Sequence, residues 1–441
     1  MIKFENKNLF LKLEKNFKEV KNYNNLKKKY LVFLNNFNKL NKKYKFCATL
    51  NKIYIHQQLK NINYKKKDFF FGIPFGIKDI FNTKNLKTEF GSVLYKNFFP
   101  GNNSRLVDII LNKQGIIICK TTTAEFAVHH FPEKKTINPF NKNHITGTSS
   151  AGSAVAVACG ALPVALATQT AGSIIRPASF CGTIGFKPSF GALDRTGILK
   201  TTDTLDTVGL FSTDFYGLKK TFKNLIQHSE EYPFSKKFFI KQKNKKIKIS
   251  IISDIFESYK FYDETIKNEF NTFCRDYLKN FDLMGSKKFQ FINNVHINHE
   301  NIYAKSLAYY FKKIANKKKK ISSVMKHMIK NGNNIKQEEY LKSLKIQKNL
   351  TSKFDNIMKS CDFLIMPSTA SVAPIIGSKE KKDTSLIWTF FGAPSISLPI
   401  FYDDKTKLPF GLQIVARRYN DFYLLDFAEK ITQKIKRNCE K

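Results

Sequence analysis

The stretch GTSSAGSAVAVACGALPVALATQTAGSIIRPASFCG, which runs from Gly147 to Gly182, contains no lysine, although 68 of the 441 residues of the chain are lysines. It is rich in Gly, Ala, Ser and Thr, and it carries one arginine, Arg176. Small residues let backbone segments approach closely, and hydroxyls supply nucleophiles and proton carriers. This stretch is therefore the first candidate for the chemical centre of the protein.

The composition is that of a globular protein. Hydrophobic residues make up 42% of the chain and 42 residues are Phe, whereas disordered chains are poor in aromatic residues. A chain of 441 residues exceeds the usual size of one core, so two domains or one large core with an insertion are expected.

The formal net charge of +40 raises the question of nucleic-acid binding, since contacts from Lys and Arg to phosphate dominate such binding. Only seven of the 75 basic residues are Arg, however. Proteins that bind phosphates and recognise bases favour the guanidinium group of Arg. Lys, Asn, Ile and Phe are all abundant together, as A+T-rich coding produces. Charge alone therefore does not make nucleic acid an expected partner.

The cysteines and the first residues bear on the cellular compartment. The seven cysteines are scattered and form no C-x-x-C pair, which favours reduced thiols over a disulfide framework or a zinc site. The opening residues MIKFENKNLFLKLEKNF interleave charged and apolar residues, so they lack the apolar core of a signal peptide. We expect a cytoplasmic protein without a membrane span.

The chain divides into regions that differ in composition and in the spacing of apolar residues. Residues 1–70 show apolar residues at helical spacing, which predicts a helical arm. Residues 71–215 are punctuated by Gly and contain short apolar runs typical of strands. Residues 230–350 return to helical spacing, and residues 360–435 again contain strand-like runs. The simplest account is a single domain over 1–441, with a mixed α/β core that carries a helical insertion.

A serine needs a base before it can attack a carbonyl carbon. His129, His130 and His144 lie nearest to the stretch, but they form no recognisable serine-hydrolase motif, and G-x-S-x-G is absent. Lys78 lies within the apolar, Gly-rich run GIPFGIKDI, where burial would lower the pKa of its amine. A surface lysine at a strand end is the alternative that this run alone leaves open.

Taken together, GIPFGIKDI, GTSSAGSAVAVACG and TQTAGSIIRPASFCGTIGFKPSFG resemble the amidase signature family, whose catalytic set is Ser–cis-Ser–Lys. The resemblance is dense from Gly72 to Gly191, with weaker matches in SVAPIIG, FFGAPSISLPI and PFGLQIVA. It implies an α/β amidase-signature fold in which helices flank a central mixed β-sheet. It implies no cofactor and no metal.

The resemblance also implies roles for single residues. Lys78 would be the base, Ser149 the serine that follows a cis peptide bond, and Ser173 the nucleophile. Neutral Lys78 would take the proton of Ser173 through Ser149, and the acyl-enzyme formed on Ser173 would then be hydrolysed by water. Consecutive backbone amides would form the oxyanion hole. The implied donors are the amides of Thr170, Ala171, Gly172 and Ser173.

The stretch departs from one branch of the family, the A subunits of tRNA-dependent amidotransferases, which resemble SDTGGSIRQPA here. Gln169 replaces the Asp, Ala171 replaces a Gly, and Arg176 lies three rather than two positions after the nucleophile. We therefore expect closer likeness to stand-alone amidases. Arg176 is a candidate substrate-binding residue that would pair with a carboxylate; pairing with an internal acid or with backbone carbonyls is the alternative.

Several further residues have both a functional and a structural interpretation. Asp206 would brace the serine loop or form a plain turn. Trp388 and Phe390 would line an acyl pocket or pack in the core.

Two acids and a thiol also have two interpretations. Asp79 and Glu125 would support the site indirectly or pair structurally. Cys181 would serve an alternative cysteine hydrolase.

The predicted function is an amidase that hydrolyses a small carboxylic amide to the acid and ammonia or an amine. The first alternative is the A subunit of a tRNA-dependent amidotransferase that releases ammonia from glutamine and works with other chains near tRNA. The second is a non-catalytic binding protein on the same fold. Homodimerisation and the identity of the amide are left open by the sequence.

Overall fold

The computed structural model describes most of the residues of the chain. They are 8–128, 136–226, 246–252, 262–315, 320–378, 380–381 and 384–439.

Eleven strands of the described residues form one mixed sheet. They are β1 (Cys47–Leu50), β2 (Pro74–Lys78), β3 (Ile116–Thr121), β4 (Val164–Gln169), β5 (Ile184–Lys187), β6 (Thr207–Ser212), β7 (Lys248–Ile251), β8 (Asp282–Met284), β9 (Phe363–Pro367), β10 (Ser395–Asp403) and β11 (Leu408–Ala416). Their order across the sheet is β1-β3-β2-β4-β6-β5-β10-β11-β9-β7-β8. This architecture confirms the predicted α/β fold with a central mixed sheet.

Helices flank the sheet. They are α1 (Leu9–Lys18), α2 (Tyr23–Tyr44), α3 (Lys52–Asn61), α4 (Arg105–Asn112), α5 (Ala151–Ala158), α6 (Ile175–Cys181), α7 (Phe215–Ile226), α8 (Glu264–Tyr277), α9 (Val295–Tyr310), α10 (Lys312–Ala315), α11 (Ser323–Asn334), α12 (Gln337–Ile357), α13 (Ser385–Phe390) and α14 (Asp421–Cys439). No helix in the described ranges combines the length and the apolar character needed to cross a membrane.

The centre of the sheet positions the chemistry. Every residue of β2, β3, β4 and β6 is buried, as expected for strands covered on both faces. Strands β2 and β4 are parallel neighbours, with Ile77 opposite Leu166. Their carboxyl ends therefore meet at one edge of the sheet, which places Lys78 beside Thr168.

The small residues of the Gly147–Gly182 stretch make close packing possible. Helix α5 is buried along nearly its whole length. A Cβ atom added at Gly152 would lie 2.3 Å from the backbone nitrogen of Thr122 and 2.5 Å from the carbonyl oxygen of Phe46. A larger residue at this position would push α5 away from the end of β3.

The region 230–350 contains more than helices. Strands β7 and β8 continue the sheet at its far edge, where β7 pairs in parallel with β9. These strands have only four and three residues, so their alternation is too short to stand out from the helical spacing around them. Helices α9, α11 and α12 of this region pack together, and α9 extends to the carboxyl end of β4.

Candidate active site

Lys78 is the last residue of β2, and its side chain is completely buried. Its Nζ atom lies 2.8 Å from the Oγ of Ser149. The same nitrogen lies 3.1 Å from the hydroxyl oxygen and 3.5 Å from the carbonyl oxygen of Thr168. The amine is therefore held between a serine on one side and Thr168 on the other.

Burial changes the protonation of this amine. Desolvation lowers the pKa of Lys78 from 10.5 to about 7, and the negative charge of Asp206 opposes part of this effect. No carboxylate in the described residues forms a salt bridge with Lys78. A lysine in this position is available as a neutral amine near pH 7.

The two serine segments lie against each other. The peptide bond between Thr148 and Ser149 is cis. Gly147 has a φ of +78°, and a Cβ atom there would lie 2.9 Å from the Cα of Pro177, in the first turn of α6. The guanidinium of Arg176 donates to the carbonyl of Thr148 at 3.2 Å. The segment that carries Ser149 is thus packed onto the helix that follows Ser173.

Ser173 lies in the loop 170–173 between β4 and α6 and is 5% exposed. In the described part of the chain, its hydroxyl forms no hydrogen bond with another residue. The backbone amides of this loop likewise donate to no acceptor among the described residues. The loop therefore presents a hydroxyl together with several uncommitted backbone donors.

Thr170 is held from two directions. Its hydroxyl donates to a carboxylate oxygen of Asp206 at 2.8 Å. Its carbonyl oxygen lies 2.9 Å from the Nε2 atom of His299, which comes from α9. Because a carbonyl oxygen only accepts, Nε2 of His299 carries the proton. The contacts agree with the bracing role of Asp206 rather than with a plain turn.

Gln169 links the loop to the C-terminal part of the chain. Its Oε1 atom accepts the amides of Ile174 and Ile175 at 2.8 and 3.0 Å. Its Nε2 atom donates to the hydroxyl of Thr389 at 2.9 Å, and Thr389 in turn donates to the carbonyl of Ala171 at 2.8 Å. A glutamine amide can make all these contacts because it both accepts and donates.

Arg176, the candidate carboxylate reader, is buried and already paired. Its Nε atom lies 2.6 Å from a carboxylate oxygen of Glu380, and both side chains are only 7% exposed. With the contact to Thr148, the guanidinium binds an internal acid and a backbone carbonyl, which was the alternative interpretation. A substrate carboxylate at Arg176 would have to compete with Glu380.

The remaining candidate acids and the thiol have structural partners. Asp79 forms a buried ion pair with Lys120 at 3.3 Å, and burial raises the pKa of Asp79 to about 6. Glu125 accepts from the hydroxyl of Ser92 at 3.0 Å. Burial raises the pKa of the Cys181 thiol, which disfavours the thiolate that a cysteine hydrolase requires.

The aromatic and histidine candidates also occupy structural positions. Trp388 and Phe390 are buried members of the core, as the packing interpretation predicts. His144 donates through Nδ1 to the carbonyl of Ala373 at 2.6 Å. His129 and His130 lie outside the described residues.

A cavity of about 460 Å3 borders the loop. Thr168, Thr170 and Asp206 are among the residues that line it. Ser149 and Ser173 are not among its lining residues. Over the described ranges, His, Cys, Asp and Glu side chains form no group of three or more suited to a metal ion.

Sequence reasoning did not identify His299 and Thr389. Each contacts a backbone carbonyl of the loop from a position 129 or 218 residues away. A hydrogen bond to a carbonyl imposes no pattern on the neighbouring residues, so no local signal marks either side chain.

Comparisons with known proteins identify the family and similar folds. A family model described as Amidase matches residues 31–425. The chain is 26% identical over 418 residues to the A subunit of the glutamyl-tRNA(Gln) amidotransferase of Syntrophomonas wolfei, covering 82% of each chain. A crystal structure of an amidase superposes with a TM-score of 0.82 at 20% identity, covering 93% and 98% of the two chains.

A second solved structure, the corresponding A subunit from Thermotoga maritima, superposes with a TM-score of 0.74 at 20% identity and covers 93% of both chains. The expected closer likeness to stand-alone amidases is not supported, because the curated relatives at 26–28% identity are amidotransferase A subunits. That expectation depended on Gln169, Ala171 and Arg176, which are only three positions in a match of 418 residues.

Proposed function

Because the chain belongs to the amidase family, we propose that it hydrolyses a small carboxylic amide through an acyl-enzyme on Ser173. The observation that carries the proposal is the buried contact between Lys78 and Ser149, with an amine whose pKa is lowered to about 7. Such an amine can accept a proton without a histidine.

The contacts of Lys78 suit a base. A neutral amine has two protons and one lone pair. The two protons can be donated to the hydroxyl and carbonyl oxygens of Thr168, which leaves the lone pair to accept the proton of Ser149. We infer that Thr168 orients the amine in this way.

The proton path and the bond changes follow. Ser149 passes its proton to Lys78 and takes the proton of Ser173, whose Oγ attacks the amide carbon. The oxygen of the tetrahedral intermediate is stabilised by the free amides of the loop. Ser149 then gives its proton to the departing nitrogen and recovers one from Lys78, so that ammonia or an amine leaves and the Lys78 amine is neutral again. Water hydrolyses the acyl-enzyme by the same path.

A second candidate function is that of an amidotransferase A subunit, which would release ammonia from glutamine for a partner chain. The curated relatives carry that name, and this is the observation that favours it. Both functions share the acyl-enzyme chemistry and differ in the amide and in the partners. Homodimerisation and a cytoplasmic location remain predictions.

Ammonia release from a panel of primary amides tests the proposal. The panel contains glutamine with acidic, aromatic and small aliphatic amides, and the purified chain is assayed without any partner. Turnover by the wild type and none by Ser173→Ala supports the amidase. If glutamine is the only amide that is hydrolysed, and only after partner chains are added, the result favours the amidotransferase. No ammonia under either condition contradicts both functions.

A further inference from the structure

We propose that His299 and Thr389 are positioning residues that set the direction of the oxyanion-hole amides. They would do so by holding the carbonyl groups of Thr170 and Ala171. The inference rests on the proposed function, and it extends it to two side chains outside the Lys78, Ser149 and Ser173 set.

The geometry of one peptide unit carries the first step. In a planar trans peptide, the carbonyl and the following N–H point in nearly opposite directions. The peptide between Thr170 and Ala171 is not among the cis bonds of the structure. Because His299 holds the Thr170 carbonyl at 2.9 Å, the N–H of Ala171 is directed away from α9.

The next two peptide units follow the same rule. Thr389 holds the carbonyl of Ala171 at 2.8 Å, so the N–H of Gly172 is directed away from α13. The amide of Arg176 donates to the carbonyl of Gly172 at 2.9 Å, so the N–H of Ser173 is directed away from the first turn of α6. Three successive carbonyls are therefore held by the protein.

The three amides that follow these carbonyls have no acceptor among the described residues. Gly172 and Ser173 are buried, and a buried N–H without a partner is rare because it loses its hydrogen bond to water. A developing oxyanion on the substrate supplies the missing acceptor. The hydrogen bonds that hold the three carbonyls therefore also fix the directions of the three free amides.

Gln169 decides where the Thr389 hydroxyl points. A threonine hydroxyl has one proton to donate. Since Nε2 of Gln169 donates to Thr389, that proton is left for the Ala171 carbonyl, which at 2.8 Å is nearer than the Ser385 carbonyl at 3.3 Å. An acidic residue at position 169 would accept the proton instead and release the carbonyl. The residue that departs from the amidotransferase pattern is therefore the one that makes the Thr389 contact possible.

The rate of Ser173 phosphonylation by an alkyl fluorophosphonate tests the inference without knowledge of the amide. The phosphonyl oxygen gains charge in the transition state, as the substrate oxygen does. His299→Leu and Thr389→Val should each lower the maximal labelling rate by roughly 10- to 100-fold, while half-saturation by the probe changes little. His299→Gln and Thr389→Ser, which keep a donor, should restore most of the rate.

Two control variants remove side-chain hydrogen bonds to backbone carbonyls outside the loop 170–173. Thr432 donates to the carbonyl of Ala428 at 2.8 Å within α14, and Asn298, a residue of α9, donates to the carbonyl of Asn294 at 2.8 Å. Thr432→Val and Asn298→Leu should label at the wild-type rate, even where the melting temperature falls.

The possible outcomes are separable. Wild-type protein that is not labelled on Ser173 contradicts the proposed function itself, and the inference with it. A labelled wild type with unchanged rates in His299→Leu and Thr389→Val overturns the inference alone, as does equal slowing in Thr432→Val. If His299→Leu does not fold, the labelling rates of Thr389→Val and Gln169→Glu test the inference instead. Both variants release the Ala171 carbonyl with little change in side-chain size.

Discussion

The Nζ of Lys78 lies 2.8 Å from the Oγ of Ser149, and both side chains are excluded from solvent. This contact joins the end of a central strand to the serine that follows a cis peptide bond. It therefore connects the Lys78 amine with the serine through which the proposed proton path runs.

Removal of that amine should abolish most of the activity. We expect Lys78→Met to lower turnover by about 10²- to 10⁴-fold, the usual contribution of a general base. Lys66→Ala, at an exposed lysine, serves as the control and should leave turnover unchanged. Ammonia release and a thermal melt check both variants. A folded Lys78→Met protein with wild-type turnover would exclude Lys78 as the base.

The pH dependence follows from the pKa of Lys78. Because burial lowers this pKa to about 7, the amine is protonated and inactive below pH 7 and neutral above it. The ratio kcat/KM should therefore rise with pH and level off above about pH 7. Lys187 is a second buried lysine with a pKa lowered to about 7, and its amine donates to the carbonyls of Pro188 and Ala393. Lys187→Met should keep the same acid limb; a flat profile between pH 5 and 8 in the wild type would contradict the assignment.

Arg176→Lys distinguishes the two roles of the arginine. The ion pair with Glu380 and the contact to Thr148 favour a bracing role, so we expect a lower melting temperature and an equal loss of turnover on all amides. Michaelis constants for neutral and carboxylate-bearing amides measured on one variant provide the check. A rise confined to carboxylate-bearing amides would instead establish Arg176 as a substrate-binding residue.

Asp206 should matter for stability as well as for rate. Its carboxylate accepts from the hydroxyls of Thr170, Thr201 and Thr202 at 2.7–2.9 Å and from two backbone amides. Asp206→Asn replaces an acceptor by a donor, so we expect the free energy of unfolding to fall by about 2–3 kcal/mol. Asp426→Asn, at a half-exposed ion pair, should cost less than about 1 kcal/mol. Urea unfolding compares them; equal effects would argue against bracing.

The sequence predicted the central sheet because its strands are continuous apolar runs bounded by Gly and Pro. It did not predict β7 and β8, since short edge strands carry too few residues to show a period of two. Strand β7 pairs with β9, which lies more than 100 residues further along the chain, and β8 pairs in turn with β7. Such pairing is a property of the folded chain and leaves little local signal.

The sequence likewise predicted only part of the site. Lys78, Ser149 and Ser173 lie in short motifs, so their residue types and spacing could be recognised. The partners of Arg176 and of the loop carbonyls could not, because Glu380, Thr389 and His299 contact them from distant segments. Burial decides whether Arg176 meets an internal acid or a substrate, and burial is set by the whole fold.

The most direct test of the account is the site of covalent modification by a fluorophosphonate probe, mapped by peptide mass spectrometry. The account predicts one adduct, on Ser173, which is absent from Ser173→Ala and forms slowly in Lys78→Met. An adduct on Cys181 or on another serine, or none on a folded wild-type protein, would contradict it.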